Sequence, residues 1–388
     1  MQEWKTYTLK DLSKGKGEYG IGASAIPFDK DKLIYLRITD INDDGTLNKS
    51  GLTSVDAVNA SKYLLEKNDI VFARTGNSTG RSYFYDGSDG PLVYAGFLIR
   101  FRLDDSKVNP RILKYYSHSK PYYDWVQSFD TGGTRGNINA KTYGDMPITL
   151  PPRHVQDRIV DILYSLDAKI ENNRRINDNL EQQAEALYRS WFVDFEPFKD
   201  GKFIDSELGL IPEGWRVGEL YEITNITSGK RPSTKSDYPT SRDKVPVFGA
   251  SGIMAYTTDK LYDIPILIIG RVGTLGIVQK IDAESWPSDN TLVILSKNYH
   301  FVYFNLKSID YQAINRGSTQ PLITQSDIKQ QMILIPQDEV LMKFEEKANI
   351  LDKAIKNNDK AIKRLVLLRD TLLPKLMSGK LNINEIDC

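Results

Sequence analysis

Two loops in each half of this 388-residue chain gather side chains that can contact DNA bases and phosphates. In the first half these residues lie within 74–81 and 131–141: Arg74, Asn77, Ser78, Thr79, Arg81, Thr134, Arg135, Asn137, Asn139 and Lys141. In the second half they lie mainly within 230–235 and 316–325: Lys230, Arg231, Ser233, Thr234, Lys235, Arg271, Arg316, Ser318, Thr319, Gln320 and Gln325. Arg can bond guanine through two donors and Asn or Gln can bond adenine in the same way, whereas Ser, Thr and Lys suit phosphate oxygens. We therefore predict that these loops contact DNA.

Polar loops with glycine are also an ordinary feature of protein surfaces, so each loop by itself has a second interpretation. The loops of the two halves occur at places that we expect to be equivalent. The segment that contains Arg74 and Gly76 also resembles the segment that contains Arg271 and Gly273, which indicates that the regions ahead of the two helices match. Recurrence favours a shared function, and the surface-loop alternative stays open.

Motifs for catalysis are missing from the sequence. The spacing of Gly15, Gly17 and Gly20 fits a dinucleotide-binding pattern, but no strong strand precedes it and no helix pattern follows, so we interpret it as a flexible loop. The three histidines are scattered, and Cys388 is the only cysteine. We expect this chain to have no catalytic residues, no metal site and no cofactor of its own.

Residues 148–192 and 333–377 repeat one pattern without a gap, so that Asp167, for example, falls on Asp352. Such a repeat predicts two copies of one structural unit. Each copy carries apolar residues at alternating steps of four and three, the spacing of a coiled-coil seam. We predict helices at 153–195 and 338–379, each about 60 Å long at the usual rise per residue.

Prolines mark the expected starts of both helices, Pro151-Pro152 for the first and Pro336 for the second. Pro374 predicts a kink or an early end in the second helix. Asn173 and Asn358 occupy equivalent seam positions near the midpoints of the two helices. If the helices pack antiparallel, these midpoints face each other. A buried Asn at a seam fixes register, so we predict that these two side chains lie close together.

The regions ahead of the helices consist of short β-branched and aromatic runs broken by Gly, Pro, Asn and Asp. We predict strands of a mixed sheet at 70–73, 92–102, 266–269 and 291–295. The predicted domains are 1–152 and 213–337, with a linker at 196–212 and a tail at 380–388. The predicted fold class is α+β, with two similar globular mixed α/β domains separated and joined by two long antiparallel coiled-coil helices in a pseudo-twofold repeat.

Overall charge limits the kind of nucleic-acid contact. Lys+Arg and Asp+Glu both total 51, which argues mildly against nonspecific DNA binding and favours local contacts. The apolar run at 264–269 is far shorter than the roughly 20 residues of a membrane helix. The first residues lack the pattern of a signal peptide, so we expect a cytoplasmic protein.

A family resemblance covers essentially the whole chain. Its most specific parts are three segments, 187–195 (LYRSWFVDF), 208–215 (LGLIPEGW) and 372–379 (LLPKLMSG). Together they resemble the DNA specificity subunit of a type I restriction-modification enzyme. The resemblance implies that each globular domain reads one half of a bipartite, gapped DNA target. It also implies that the helices dock two methyltransferase subunits, that restriction subunits join this core, and that S-adenosylmethionine, ATP and magnesium belong to those partners.

Aromatic residues cluster at the predicted end of the first helix, namely Trp191, Phe192 and Phe195. They could anchor the methyltransferase subunit, since aromatic residues are enriched at interface centres. Packing within a core is the alternative.

Two rival functions remain open from the sequence. One is the recognition subunit of a related combined restriction-methylation system. The other is a coiled-coil scaffold that joins two protein-binding domains without contacting DNA, which the balanced charge favours slightly.

Overall fold

The computed structural model of the chain describes residues 4–129 and 136–381. It divides into two compact units. Unit 1 takes Met1–Asn172 and Ala361–Cys388, and unit 2 takes Asn173–Lys360. The fold is α+β, with two similar mixed domains and two long helices that contribute to both units.

Unit 1 is built from short strands. They are β1 (Lys5–Thr8), β2 (Glu18–Tyr19), β3 (Ala25–Pro27), β4 (Leu33–Leu36), β5 (Thr53–Val55), β6 (Asp69–Ala73), β7 (Ser82–Tyr85), β8 (Leu92–Tyr94), β9 (Leu98–Arg102) and β10 (Pro147–Leu150). The main antiparallel sheet has the order β2-β9-β6-β7, a second sheet has the order β3-β5-β4-β8, and β1 pairs with β10. Every residue of β6 is buried, as expected for an apolar strand that is covered on both faces.

Short helices cover the sheets of unit 1: α1 (Pro110–Tyr116), α2 (Lys120–Gln127) and α3 (Ala140–Gly144). Aromatic rings fill the space between them and the main sheet. Phe72 of β6 stacks on Tyr143 of α3, with 4.9 Å between ring centroids. The same core includes Leu163 and Leu376, from the two long helices.

The run at 92–102 was predicted as one strand, and this prediction is wrong in detail. It forms two strands, and these lie in different sheets: β8 pairs in parallel with β4, whereas β9 pairs antiparallel with β6. Between the strands, the amide of Leu98 donates to the carbonyl of Ala95, which turns the chain. The other predicted strands, at 70–73, 266–269 and 291–295, are confirmed.

Unit 2 repeats this arrangement. Its strands are β11 (Phe203–Ser206), β12 (Gly209–Pro212), β13 (Arg216–Glu219), β14 (Asn225–Ser228), β15 (Val245–Gly249), β16 (Gly252–Thr257), β17 (Ile266–Gly270), β18 (Val278–Ile281), β19 (Trp286–Pro287), β20 (Thr291–Leu295) and β21 (Met332–Ile335). The main sheet, β14-β20-β17-β18, matches β2-β9-β6-β7, and the pair β13-β21 matches β1-β10. The helices α5 (Tyr299–Ser308) and α6 (Gln325–Lys329) occupy the places of α1 and α3 in chain order.

The segment 196–212 was predicted to be an irregular linker, and this prediction is wrong. Its second half forms the hairpin β11-β12. The hydroxyl of Ser206 donates to the carbonyl of Gly209 over 2.6 Å, and Gly209 has a φ of 95°, which suits glycine. Strands of four residues are too short to give the sequence a visible periodicity.

The long helices are α4 (Arg153–Phe192) and α7 (Asp338–Met377), of 40 residues each. The predicted helices are confirmed, with ends three and two residues earlier than expected. The predicted early end at Pro374 is wrong, because α7 continues to Met377 although this proline cannot donate to the carbonyl of Asp370. Gly379, with a φ of 67°, follows the end of the helix.

The predicted seams run at steps of four and three from Ile159 to Trp191 in α4 and from Phe344 to Leu376 in α7. They are confirmed, since each of these seam residues is buried or partly buried. The helical segments run antiparallel within each unit. In unit 2, Tyr188 lies against Phe344, with ring centroids 6.2 Å apart, and Asn177 is bonded to Asn358. In unit 1, Arg369 is bonded to Asp167.

Asn358, which was predicted to lie close to Asn173, forms its hydrogen bond with Asn177, one helical turn further along α4. Nδ2 of Asn358 donates to Oδ1 of Asn177, over 2.9 Å, and Nδ2 of Asn177 donates to Asp359 over 2.8 Å. Asn173 is only partly buried, whereas Asn177 is 8% exposed. A sequence repeat identifies equivalent positions, but the stagger of two antiparallel helices is decided by their packing.

The predicted role of the aromatic cluster as a partner anchor is contradicted for Phe192, which is 5% exposed. Its ring packs against Phe301 and Phe344, at 4.8 Å between centroids in each case. Trp191 is partly buried beside Phe344, and Phe195 packs on the ring of Trp215. The alternative, packing within the core of unit 2, is the arrangement that the structure has.

Candidate nucleic-acid interface

The loop 74–81 joins β6 to β7 in a tight turn. The amide of Ala73 donates to the carbonyl of Arg81, and the amide of Gly80 donates back to Ala73. Gly76 and Gly80 have φ values of 73° and 88°, a region that favours glycine. A Cβ atom on Gly80 would also lie 2.6 Å from a methyl carbon of Val126, so this position needs glycine for two reasons.

The second predicted loop lies against this turn. The amide of Ile138 donates to the carbonyl of Arg74 over 3.0 Å, and the hydroxyl of Thr79 donates to the carbonyl of Gly136 over 3.1 Å. Nε of Arg74 reaches Oδ1 of Asn137 at 3.4 Å. The fold therefore brings the described residues of the two loops together, and Thr134 and Arg135 lie outside the described residues. We call residues 74–81 and 136–141 loop cluster 1.

The predicted residues of loop cluster 1 divide into exposed groups and groups held by the fold. Asn77, Asn137 and Lys141 are exposed, whereas Ser78 is buried. The fold holds two further side chains. Arg81 forms a 2.6 Å ion pair with Asp43, and Asn139 caps α3 by accepting from the amide of Thr142. Arg81 and Asn139 therefore have structural roles that the sequence did not indicate.

Two residues that the sequence analysis did not select lie beside Arg74. The guanidinium carbon of Arg74 is 5.0 Å from the centre of the Tyr19 ring, and the amide of Arg74 donates to the carbonyl of Phe97. Phe97 is 58% exposed. Tyr19 belongs to β2, so the glycine-rich segment that was interpreted as a flexible loop includes a strand of two residues. A Cβ on Gly20 would lie 2.3 Å from backbone oxygens of Tyr94 and Ala95, which explains a glycine there by close packing.

Unit 2 has the same turn between β17 and β18. Gly273 and Gly276 both have a φ of 82°, which is similar to the φ values of Gly76 and Gly80 in unit 1. The amide of Ile323 donates to the carbonyl of Arg271, and the amide of Gly273 donates to Pro321. The counterpart of 74–81 is therefore 271–276. The expected equivalence of 74–81 with 230–235 is wrong, because 230–235 follows β14, which matches β2.

The segment 230–235 nevertheless joins the same surface. The amide of Lys230 donates to the carbonyl of Pro287. The carbonyl of Lys230 accepts from Nε1 of Trp286 over 2.7 Å. Ser228, just ahead of this segment, accepts from Nε2 of Gln325 over 2.9 Å. We call residues 228–235, 271–276 and 316–325 loop cluster 2.

Side chains of loop cluster 2 differ in their freedom. Among the residues predicted to contact DNA, the exposed ones are Lys230, Arg231, Ser233, Lys235, Arg316, Ser318, Thr319 and Gln320. Nε of Arg316 donates to Asp327 over 2.9 Å, and the hydroxyl of Thr234 lies 3.0 Å from Asp243, so the fold holds both. Nε of Arg271 is buried without a hydrogen-bond partner among the described residues.

The charge of the two clusters comes from few groups. Arg81 and Arg316 are compensated by Asp43 and Asp327. Burial by itself would raise the pKa of the Asp327 carboxyl, but hydrogen bonds from Thr324 and Arg316 outweigh it and hold that pKa below its usual value. Exposed lysines, such as Lys141 in loop cluster 1 and Lys235 in loop cluster 2, then supply positive charge that suits phosphate groups.

Within residues 4–129 and 136–381, no group of three or more His, Cys, Asp or Glu side chains could hold a metal ion. None of the helices in that part of the chain is both long and apolar enough to cross a membrane.

Solved structures include one with a similar fold. It is the crystal structure of the S subunit of a type I restriction-modification system from M. genitalium, with a TM-score of 0.60. The match covers 97% of this chain and 96% of that one, at 16% sequence identity, and it supports the fold.

Sequence comparisons agree with this fold. The MjaIX type I restriction enzyme specificity subunit of Methanocaldococcus jannaschii is 30% identical over 303 residues, which cover 71% of this chain and 69% of the relative. The HindI type I restriction enzyme specificity subunit of Haemophilus influenzae is 23% identical, over 98% of this chain and 100% of its own length. The family described as type I restriction modification DNA specificity domain matches residues 1–182 and 212–366. This chain therefore belongs to the type I restriction-modification DNA specificity family.

Proposed function

We propose that loop cluster 1 and loop cluster 2 each read one half of a bipartite DNA target. The carrying observation is that both units have the same strand order and the same Arg-x-Gly turn, packed on a second loop, while the exposed side chains of the two clusters differ. A shared scaffold with different contact residues suits a target of two unlike halves.

Arg74 is the strongest candidate for a base contact in loop cluster 1. Tyr19 and Asn137 hold its guanidinium on one side, and no described residue accepts a hydrogen bond from its terminal nitrogens. An ordered arginine loses less side-chain entropy when it forms a bidentate pair with guanine. Asn77 would add a contact to adenine or phosphate, and Lys141 a contact to phosphate.

In loop cluster 2, Ser318, Thr319 and Gln320 are the corresponding exposed groups. They precede α6, as Asn137 and Asn139 precede α3. Gln can pair with adenine through its amide, whereas the hydroxyl groups suit phosphate or base edges. The different chemistry of the two clusters predicts two unrelated half-sites.

We further propose that α4 and α7 dock two methyltransferase subunits, and that restriction subunits join through them. The printed names of the relatives, specificity subunits of type I restriction enzymes, support this assignment. In that arrangement the chain is non-catalytic, and S-adenosylmethionine, ATP and magnesium bind to the partner subunits.

The test is selection from a random duplex library by the chain purified with the methyltransferase encoded beside it. We expect enrichment of one gapped motif. Arg74→Ala should relax the preference at one position of one half-site, with a loss of about 1–3 kcal/mol, and Gln320→Ala should act only on the other half-site. Absence of enrichment at low salt would favour the scaffold that joins protein-binding domains.

A separate measurement identifies phosphate contacts. Lys141→Ala should weaken binding to all sequences alike and reduce the salt dependence by about one counter-ion. The matched control is Lys49→Ala, because Lys49 is an exposed lysine of unit 1 outside loop cluster 1 and pairs with Asp89. An equal loss of affinity in both variants would contradict the proposed surface.

A further inference from the structure

Unit 2 contains a cleft of about 870 Å³ at the end of its main sheet that is remote from loop cluster 2. The two ends are defined by the pairing of β14 with β20: Ser228 and Leu292 lie towards the loop cluster, and Asn225 and Leu295 lie towards the cleft. Apolar side chains line much of it, namely Ile223, Pro265, Leu295, Ile335 and Leu341. The cleft therefore belongs to a different surface from the one proposed to read DNA.

One polar side chain in this cleft has an unused donor. Asn298 precedes α5 and is 5% exposed, and its Nδ2 is buried without a hydrogen-bond partner among the described residues. The amide of a buried Asn is normally bonded, so an unused donor needs an explanation. An acceptor supplied by a ligand would satisfy it once the atoms that cover Nδ2 move aside.

Unit 1 has the same asparagine with its donor satisfied. Asn109 precedes α1, and its Nδ2 donates to Oδ1 of Asp157 over 2.8 Å. In the internal repeat, Asp157 matches Met342, which is 66% exposed and has no comparable acceptor. The difference between the units thus comes from one position of the long helices.

Charges at the cleft are already paired. Arg216 and Glu222 are 2.6 Å apart, and Lys297 and Asp338 are 3.3 Å apart. Because each charge has its counter-charge, the group that remains unsatisfied is a neutral amide donor. A neutral oxygen, such as a peptide carbonyl, fits it better than a carboxylate or phosphate. The apolar lining then suits the side chains next to that carbonyl.

We propose that the cleft binds an extended peptide segment of the methyltransferase subunit, with a main-chain carbonyl accepting from Asn298. This inference rests on the proposed function. Exposed apolar residues in or next to the lining, Tyr221, Ile264 and Met342, favour a protein partner. The cleft also includes Asp338 and Leu341, at the start of the helix proposed to dock that subunit.

This assignment predicts unequal binding of the two methyltransferase copies. Asp157 already satisfies Asn109 in unit 1, so the corresponding donor is free only in unit 2. One copy would gain a contact that the other lacks. The chain would therefore load its two partners with different affinities despite its internal repeat.

Photo-crosslinking tests which molecule occupies the cleft. The crosslinking residue p-benzoylphenylalanine replaces Ile264, which is 49% exposed and lines the cleft, or Ile253, a 54% exposed control on β16. In the purified complex we expect methyltransferase peptides to be linked at 264 and not at 253. A complex that forms without crosslinks at 264 would overturn the inference alone, whereas failure to form any complex would overturn the proposed function as well.

Met342→Asn tests the unused donor by supplying the acceptor that Asp157 supplies in unit 1. We expect the variant to weaken the tighter methyltransferase binding step by about fivefold to tenfold, since one hydrogen bond to the partner is lost. Met342→Leu has no acceptor and should leave both steps unchanged. Titration followed by native mass spectrometry resolves the two steps, and a thermal melt verifies folding. Equal affinities for Met342→Asn and the unaltered chain would contradict the role of Asn298.

Discussion

Lys280 donates a hydrogen bond from Nζ to Oδ1 of Asp352 over 2.7 Å, and this contact joins β18 to α7. Lys356 reaches the other oxygen of the same carboxylate, also at 2.7 Å. Burial alone would raise the pKa of Asp352, but the imidazole of His300, whose Nε2 lies 3.7 Å away, and the close ammonium groups of Lys280 and Lys356 outweigh it and hold that pKa well below its usual range. Asp352 therefore stays charged at neutral pH.

Its counterpart in the repeat, Asp167, does the same in unit 1. It accepts from Lys114 at 2.7 Å and from the hydroxyl of Tyr115 at 3.0 Å, both on α1, and from Arg369 at 3.2 Å. Each unit thus attaches its globular part to a long helix through one aspartate, which is partly buried in unit 1 and buried in unit 2. The sequence repeat aligned these two residues without indicating what they bind.

Asp352→Asn should destabilise unit 2 by about 3 kcal/mol or more, because it leaves Lys280 and Lys356 without their buried counter-charge. Asp338→Asn, which removes the exposed pair with Lys297, should cost less than about 1 kcal/mol. Urea unfolding followed by tryptophan fluorescence reports on unit 2 when Trp4 and Trp125 of unit 1 are replaced by Phe in every variant. Equal effects of the two substitutions would show that the Asp352 network does not carry this stability.

The stability of unit 2 should also depend on His300. Burial lowers the pKa of its imidazole, but the carboxylates of Asp352 and Glu345 outweigh that effect, so the pKa is raised in the folded state. Nδ1 lies 2.8 Å from Glu345. A raised pKa stabilises the fold fully below the unfolded value of about 6.5, and this contribution is lost as the pH rises through the folded value.

His300→Gln should therefore remove part of the decline in unit 2 stability above about pH 6.5. The measurement is the unfolding midpoint in urea at a series of pH values from mildly acidic to mildly alkaline. His154→Gln is the control, because His154 is exposed at the start of α4. A pH profile that is unchanged in His300→Gln would contradict the assigned protonation.

The bond between Asn177 and Asn358 should behave as a coupled pair. Asn358→Leu leaves the amide oxygen of the buried Asn177 without its donor and should cost about 1–3 kcal/mol. The double substitution of both residues by Leu should be much less costly, because both polar partners are then removed. A double-mutant cycle from chemical unfolding measures the coupling. Additive effects of the two single substitutions would rule out the pair as a register contact.

Asn77 and Asn139 were both predicted to contact DNA, and the structure predicts different behaviour for them. Asn139→Ala removes the cap of α3 and should destabilise unit 1 by about 0.5–2 kcal/mol, whereas Asn139→Asp keeps the acceptor and should restore stability. Asn77→Ala changes an exposed side chain and should lower DNA affinity with little effect on unfolding. Thermal melts and DNA titrations of the same preparations separate the two roles.

Patterns along the chain predicted the helices and the main strands. The seam at steps of four and three identified α4 and α7, because the period of an α-helix is a local property of neighbouring residues. The family fragments and the repeat pointed to the duplicated fold. The hairpin β11-β12 was missed, since strands of four residues carry too little pattern.

The same limit applies to the candidate interface. Residue type and glycine spacing selected the loops, and the packing of 74–81 on 136–141 agrees with that selection. The resemblance of Arg74 and Gly76 to Arg271 and Gly273 pointed to this match, and the fold established that 271–276, and not 230–235, is the counterpart of 74–81. Strand order decides that equivalence, and it arises from contacts between segments far apart in the chain.

By itself, the sequence determined that this chain has two copies of one α+β unit with long helices and polar loops ahead of them. The tertiary structure decided that Asn358 bonds Asn177, that Phe192 lies in a core, and that Asn298 keeps an unused donor where Asn109 does not. The physical reason is the range of the interactions. Helical period and turn chemistry depend on near neighbours, whereas stagger, burial and hydrogen-bond partners depend on which distant side chains packing brings together.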